Sequence, residues 1–135
     1  MTIPIGVELD ITHFRHSDRL TITFAMNGSE IHEVSQIQGN QTIQIDDVKL
    51  LPNSRNTFTM QVSGFRPDYL RMLCKIKNIE FDEIPLASLI GSHGKFTPGT
   101  SPYSTTALTD NTITDNGSWI LEFNDPLYHW MFEQT

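Results

Sequence analysis

The sequence predicts an all-β chain folded as an antiparallel β-sandwich of jelly-roll-like connectivity, closed by a short C-terminal helix. Three observations carry this. Roughly seven to nine short segments alternate apolar and polar residues, the period of strands with one buried face. Gly, Pro, Asn and Asp cluster between them at intervals of about ten residues, as the turns of a sandwich do. Finally, the chain holds fifteen Thr against three Ala. β-Branched side chains lose rotamer freedom in a helix and pack well on a pleated surface. At 135 residues a single domain spanning 1–135 is expected, able to bury roughly 65–70% of its unfolded surface.

The elements follow in order. Ile3, Ile5, Val7, Leu9 and Ile11 mark a first strand, with Pro4 near its start, where a ladder N–H can be spared. His13 to Asp18 is a polar break. Leu20, Ile22, Phe24 and Met26 face one way and Thr21, Thr23 and Ala25 the other. Asn27-Gly28 then turns the chain into Glu30 to Val34, a hairpin. Gly39-Asn40 precedes a short strand at Ile43 to Ile45, and Asp46-Asp47 separates it from Val48 to Leu51. Pro52 to Asn56 is a dense turn signal. Phe58, Met60 and Val62 alternate with Thr57, Thr59 and Gln61, the cleanest strand in the chain. Tyr69 to Leu73 reads as a helical turn. The strand Cys74 to Phe81 changes phase between Ile76 and Ile79, which predicts a bulge near Lys77-Asn78.

From Gly91 to Asn116 apolar residues thin out while Gly, Ser, Thr, Pro and Asn crowd in. A loop of about 25 residues is uncommon in a compact domain and is usually functional. Phe96, Tyr103 and Leu108 are spaced along it as candidate anchors for a partner or ligand, so 91–116 is expected to be a long loop or assembly arm. The last stretch holds five of the thirteen aromatic residues between Ser118 and Phe132. Asn116-Gly117 is a type I′ hairpin signal, and Trp119, Leu121 and Phe123 form one strand face. Asp125-Pro126 reads as an N-cap with Pro at the first helical position. Leu127, Trp130 and Met131 follow at helical spacing, so this piece closes the core.

Composition excludes several function classes. A net charge of −7 and a pI near 5.0 argue against a surface that tracks nucleic-acid phosphates. The single Cys74 permits no internal disulfide, and its place on an apolar strand face reads as an inert buried thiol. No signal-like run opens the sequence and no apolar stretch approaches the roughly 18 residues of a membrane span. Phosphate loops, nucleophile elbows and paired metal ligands are missing, and His13 and His16 have no third ligand nearby. No catalytic residue and no cofactor are expected, and the chain is not read as an enzyme. The oxygen-rich turns Asp46-Asp47, Asp82-Glu83, Asp110-Asn111, Asp115-Asn116 and Asn124-Asp125 offer the ligand type calcium wants, although Asp and Asn are also the ordinary residues of turns. Trp119, Tyr128 and Trp130 can be read as a sugar-stacking platform, with core placement the favoured reading for both tryptophans.

Two resemblances add to this. Leu20 to Leu86, through Leu20-Thr21-Ile22-Thr23-Phe24, Asn56 to Val62 and Ile76 to Ile84, resembles the small calcium-dependent xylan-binding carbohydrate-binding modules. Glu83 stands where that family's turn has Gly, and no calcium or sugar ligand carries over. The resemblance implies a β-sandwich and glycan binding. Asp115 to Trp130 resembles the ending of small structural proteins of tailed bacteriophages. That likeness implies a non-catalytic virion subunit of a capsid, neck, tail or fibre. It would be made in the host cytoplasm, repeated as a homo-oligomer and partnered by other virion proteins. The alternative is a carbohydrate-binding module that stacks a glycan on aromatic rings with calcium assistance. Neither reading involves nucleic acid or a membrane.

Overall fold

The computed structural model describes residues 1–12, 19–65, 72–100 and 104–134. Among the described residues ten strands form two antiparallel sheets. One has the order β4 (Gly39–Lys49), β1 (Thr2–Thr12), β6 (Leu73–Phe81), with the two-residue strands β7 (Ile84–Pro85) and β9 (Thr112–Ile113) both on the free side of β6. The other runs β3 (Ser29–Ile37), β2 (Leu20–Met26), β5 (Arg55–Ser63), β10 (Gly117–Asn124), β8 (Lys95–Pro98). The helices α1 (Leu89–His93) and α2 (Leu127–Glu133) are short. Among these strands only β2–β3 and β6–β7 are consecutive neighbours within a sheet. Every other connection crosses the sandwich.

Alternation does the packing. In β2 Leu20, Ile22, Phe24 and Met26 are buried, and in β5 Asn56, Phe58, Met60 and Val62 are. β10 buries Trp119, Leu121 and Phe123. Rings join the layers: Phe58 meets Phe81 of the opposite sheet edge-on at 5.4 Å between centroids, and Phe81 meets Phe123 at 4.8 Å. Trp119 lies at the centre, fully buried, against Phe58. A Cβ on Gly94 would sit 2.3 Å from the indole Cζ2, so the absence of a side chain at Gly94 lets the backbone pass over the ring.

Two bulges explain the changes of phase. Lys77 is the extra residue where Glu8 pairs with Asn78 and Leu9 with Ile76. In β4 the register slips between Ile3↔Val48 and Ile5↔Ile45, with Asp47 at φ 55°. The expected break at Asp46-Asp47 is therefore a bulge inside one strand of eleven residues. Asn27 and Gly28 have φ of 53° and 84° and connect paired Met26 and Ser29, the two-residue hairpin that Asn-Gly favours.

Three expectations are corrected. The span 91–116 is not one long loop, since it contains part of α1, all of β8, a 3-10 turn (Thr109–Asn111) and β9. Asn116-Gly117 is not a hairpin turn, because β9 and β10 belong to different sheets. Instead the Asn116 amide imitates a strand partner, its Oδ1 accepting from Phe65 N–H at 2.8 Å and its Nδ2 donating to Phe65 C=O at 3.1 Å. Asp125 is not the helix N-cap either. Pro126 occupies that place without a side-chain bond, while Asp125 Oδ2 accepts from Asn53 N–H at 2.8 Å, tying α2 to the β4–β5 turn. The expected helical turn at Tyr69 to Leu73 and the His13, His16 pair fall largely or wholly outside the described residues.

Candidate functional site

The residues that face away from the core on β5, β10 and β8 are brought into rows by the pairing. Ser118 stands between Gln61 and Thr97, and Ile120 between Thr59 and Lys95. Glu122 is opposite Thr57, and Asn124 is opposite Arg55. Hydroxyl, amide and charged side chains therefore carpet this face, with one aliphatic residue in the middle.

Walls rise around this carpet. At one end α1 contributes His93, α2 contributes Trp130, and Thr105 closes over β8, its hydroxyl 2.8 Å from that of Thr97. The result is a cleft of about 520 Å³. A second hollow of about 480 Å³, lined by Gln61, Ser63, Pro98, Gly99, Asn116 and Ser118, continues it toward the other end. The two share Thr97 and Ile120, so they form one groove. From Ser118 to Asn124 it follows the strand for roughly 20 Å at about 3.3 Å per residue.

The wall at His93 is fixed by contacts on every side. Nδ1 lies 2.8 Å from Ser92 Oγ, Nε2 lies 2.8 Å from Gln134 Oε1, and the ring meets Trp130 edge-on at 5.5 Å. Ser92 Oγ in turn donates to Ser88 C=O at 3.1 Å, which anchors this wall to the N-terminal end of α1. On the floor, Arg55 Nη1 donates to Glu122 Oε2 at 3.2 Å. Glu122 is the one carboxylate lining the cleft among the described residues.

The groove differs from the residues that the sequence singled out. Phe96 and Leu108, expected as partner-contact anchors, are placed otherwise. Phe96 is a core residue paired with Trp119 and bridged to Thr106, and Leu108 packs partly buried against the same core. Tyr103 lies outside the described residues. The sugar-stacking platform does not assemble, because Trp119 and Trp130 are buried while Tyr128 is 66% exposed on the outer side of α2. Three of the acidic turns bond other groups of the protein: Asp115 Oδ1 accepts from Asn116 N–H, Asp110 Oδ2 pairs with Lys75 at 3.3 Å, and Asp125 holds Asn53. Among the described residues no three His, Cys, Asp or Glu side chains gather as metal ligands, and no helix is long and apolar enough to cross a membrane. Cys74 is fully buried, and burial, aided by Asp10, pushes its thiol up to about 12.

The groove could have been suspected from one signal. Thr57, Thr59 and Gln61 are an unbroken polar face on a strand whose other face is core, and Ser118 and Glu122 repeat the pattern.

No family model and no curated protein matches the chain. Among solved structures it is similar to a carbohydrate-binding module, vCBM60 in complex with galactobiose. The TM-score is 0.60 at 8% sequence identity, over 90% of this chain and 97% of the other. The two share the β-sandwich fold.

Proposed function

We propose that this chain is a non-catalytic glycan-binding module whose ligand lies along the outer face of β5, β10 and β8. The groove carries the reading. It is open, elongated, and lined by Thr, Ser, Gln and Asn side chains whose hydroxyls and amides both donate and accept, as sugar hydroxyls do. Ile120 offers an apolar patch at its centre for a ring face. The fold-level likeness to a galactobiose-bound module supports the same reading. Its test is amide-resolved NMR during titration with a panel of oligosaccharides. Shifts at Gln61, Thr97, Thr105 and Ser118 are expected. Saturable shifts confined to the turns at the sandwich ends, or none with any sugar, would contradict it.

A second reading, the virion subunit, is favoured by the outer side of α2. Tyr128 and Phe132 are 66% and 82% exposed there, beside a hollow lined by Leu86, Leu89 and Met131. Clustered exposed apolar residues mark protein contacts. Light scattering of wild type against Tyr128→Ser/Phe132→Ser tests it: loss of self-association or of assembly into particles supports this reading, and an unchanged monomer removes it.

A further inference from the structure

We infer that the saccharide held in this groove is acidic, with a uronate carboxylate recognised by Lys95 and Arg55. This rests on the glycan reading above and adds the substrate class.

The argument begins with charge. The chain carries sixteen acidic side chains against nine Lys and Arg, yet the cleft at the His93 end reverses that balance. Arg55 and Lys95 line it, with Glu122 as the one opposing carboxylate among the described residues. Glu122 is engaged by Arg55, whereas Lys95 makes no ion pair among the described residues. Lys95 sits next to Ile120 across the β8–β10 ladder, and its side chain lines the cleft.

Arg55 uses Nη1 toward Glu122 at 3.2 Å. A guanidinium has five donors in a planar fork, so others remain for a second, ligand carboxylate. Planar carboxylates suit that fork better than a point charge alone would require. Among the described residues, the continuing hollow with Gln61, Ser63, Asn116 and Ser118 is lined by no charged side chain. One cationic end and one neutral end fit a saccharide with a spaced acid group. A polyanion with a charge on every unit would need cations along the whole length.

The test is binding of the full chain to immobilised glucuronoxylan, polygalacturonate and alginate, each compared with its carboxyl-reduced counterpart. Carrageenan serves as a sulfated arm. At least one uronate polymer should bind, more than tenfold more weakly after carboxyl reduction. Affinity should fall with added salt. Lys95→Ala should lose about tenfold without a change in melting temperature, and Lys95→Arg should keep most of the affinity. Equal binding to reduced polymers, with Lys95→Ala unaffected, overturns the acidic assignment but leaves the groove reading standing. Binding to carrageenan alone overturns the carboxylate. Absence of binding to every polymer, acidic or reduced, removes both.

Discussion

The two faces of β10 are one sequence read in alternate residues, and they behave as different materials. Inward, Trp119, Leu121 and Phe123 are buried to within 1% and meet the aromatic rings of both sheets. Outward, Ser118, Ile120, Glu122 and Asn124 make the floor of a groove. The inner face is defined by what one strand contributes to a shared core. The outer face acquires meaning only beside β5 and β8, which lie about 60 and 20 residues upstream in the sequence. A substitution inward should therefore change stability, and one outward should change binding.

The largest effect is expected inward. Trp119→Ala should destabilise by roughly 3–5 kcal/mol, transfer and cavity terms together, and Trp130→Ala by a comparable amount. Thermal unfolding measures both, and an unchanged melting temperature for either would remove that ring from the core. Alkaline pH should act through the same interior. The Cys74 thiol, pushed by burial up to about 12 from its ordinary value of 9.0, keeps its proton in the folded state while the unfolded chain releases it. The folded state then binds more protons, so stability falls as pH rises from 9.0 toward 12. At about 1.4 kcal/mol per pH unit, Cys74→Ala should flatten that slope relative to wild type.

Next comes the polar bolt at one end. Asn56 is fully buried, and its amide bonds Leu51 N–H, Leu51 C=O, Ser54 C=O and the Asn27 side chain. Asn56→Ala would strand the Leu51 donor and cost about 1–3 kcal/mol, readable by urea denaturation. Gly94→Ala should cost a similar amount, about 1–3 kcal/mol, through overpacking against the indole of Trp119. The smallest stability effect is expected outward. Arg55 and Glu122 are 70% and 56% exposed, so Glu122→Gln should shift stability by less than about 1 kcal/mol while altering glycan affinity.

This contrast also explains what was legible. The sandwich could be read from Ile3 to Ile11, Leu20 to Met26 and Phe58 to Val62, because burial of one face writes itself into every second residue. Even the bulge at Lys77 was visible as a phase change. Lys95 to Pro98 was not, since a four-residue strand with one apolar residue has no period of its own and is held by its register with β10. Asp125 reads locally as a cap, but its carboxylate bonds Asn53 at a separation of 72 residues. The groove was hidden for the same reason. Gln61, Ser118 and Thr97 are unremarkable singly, and only sheet order makes them neighbours.

The central claim is that the outer face of β5, β10 and β8 is the binding surface. Ile120→Arg tests it most directly, because Ile120 points away from the core at the junction of both hollows. Calorimetric titration with a glycan that binds wild type should show at least a tenfold loss for this variant, with its melting temperature unchanged. Wild-type affinity in a folded Ile120→Arg protein would place the ligand elsewhere and contradict the account.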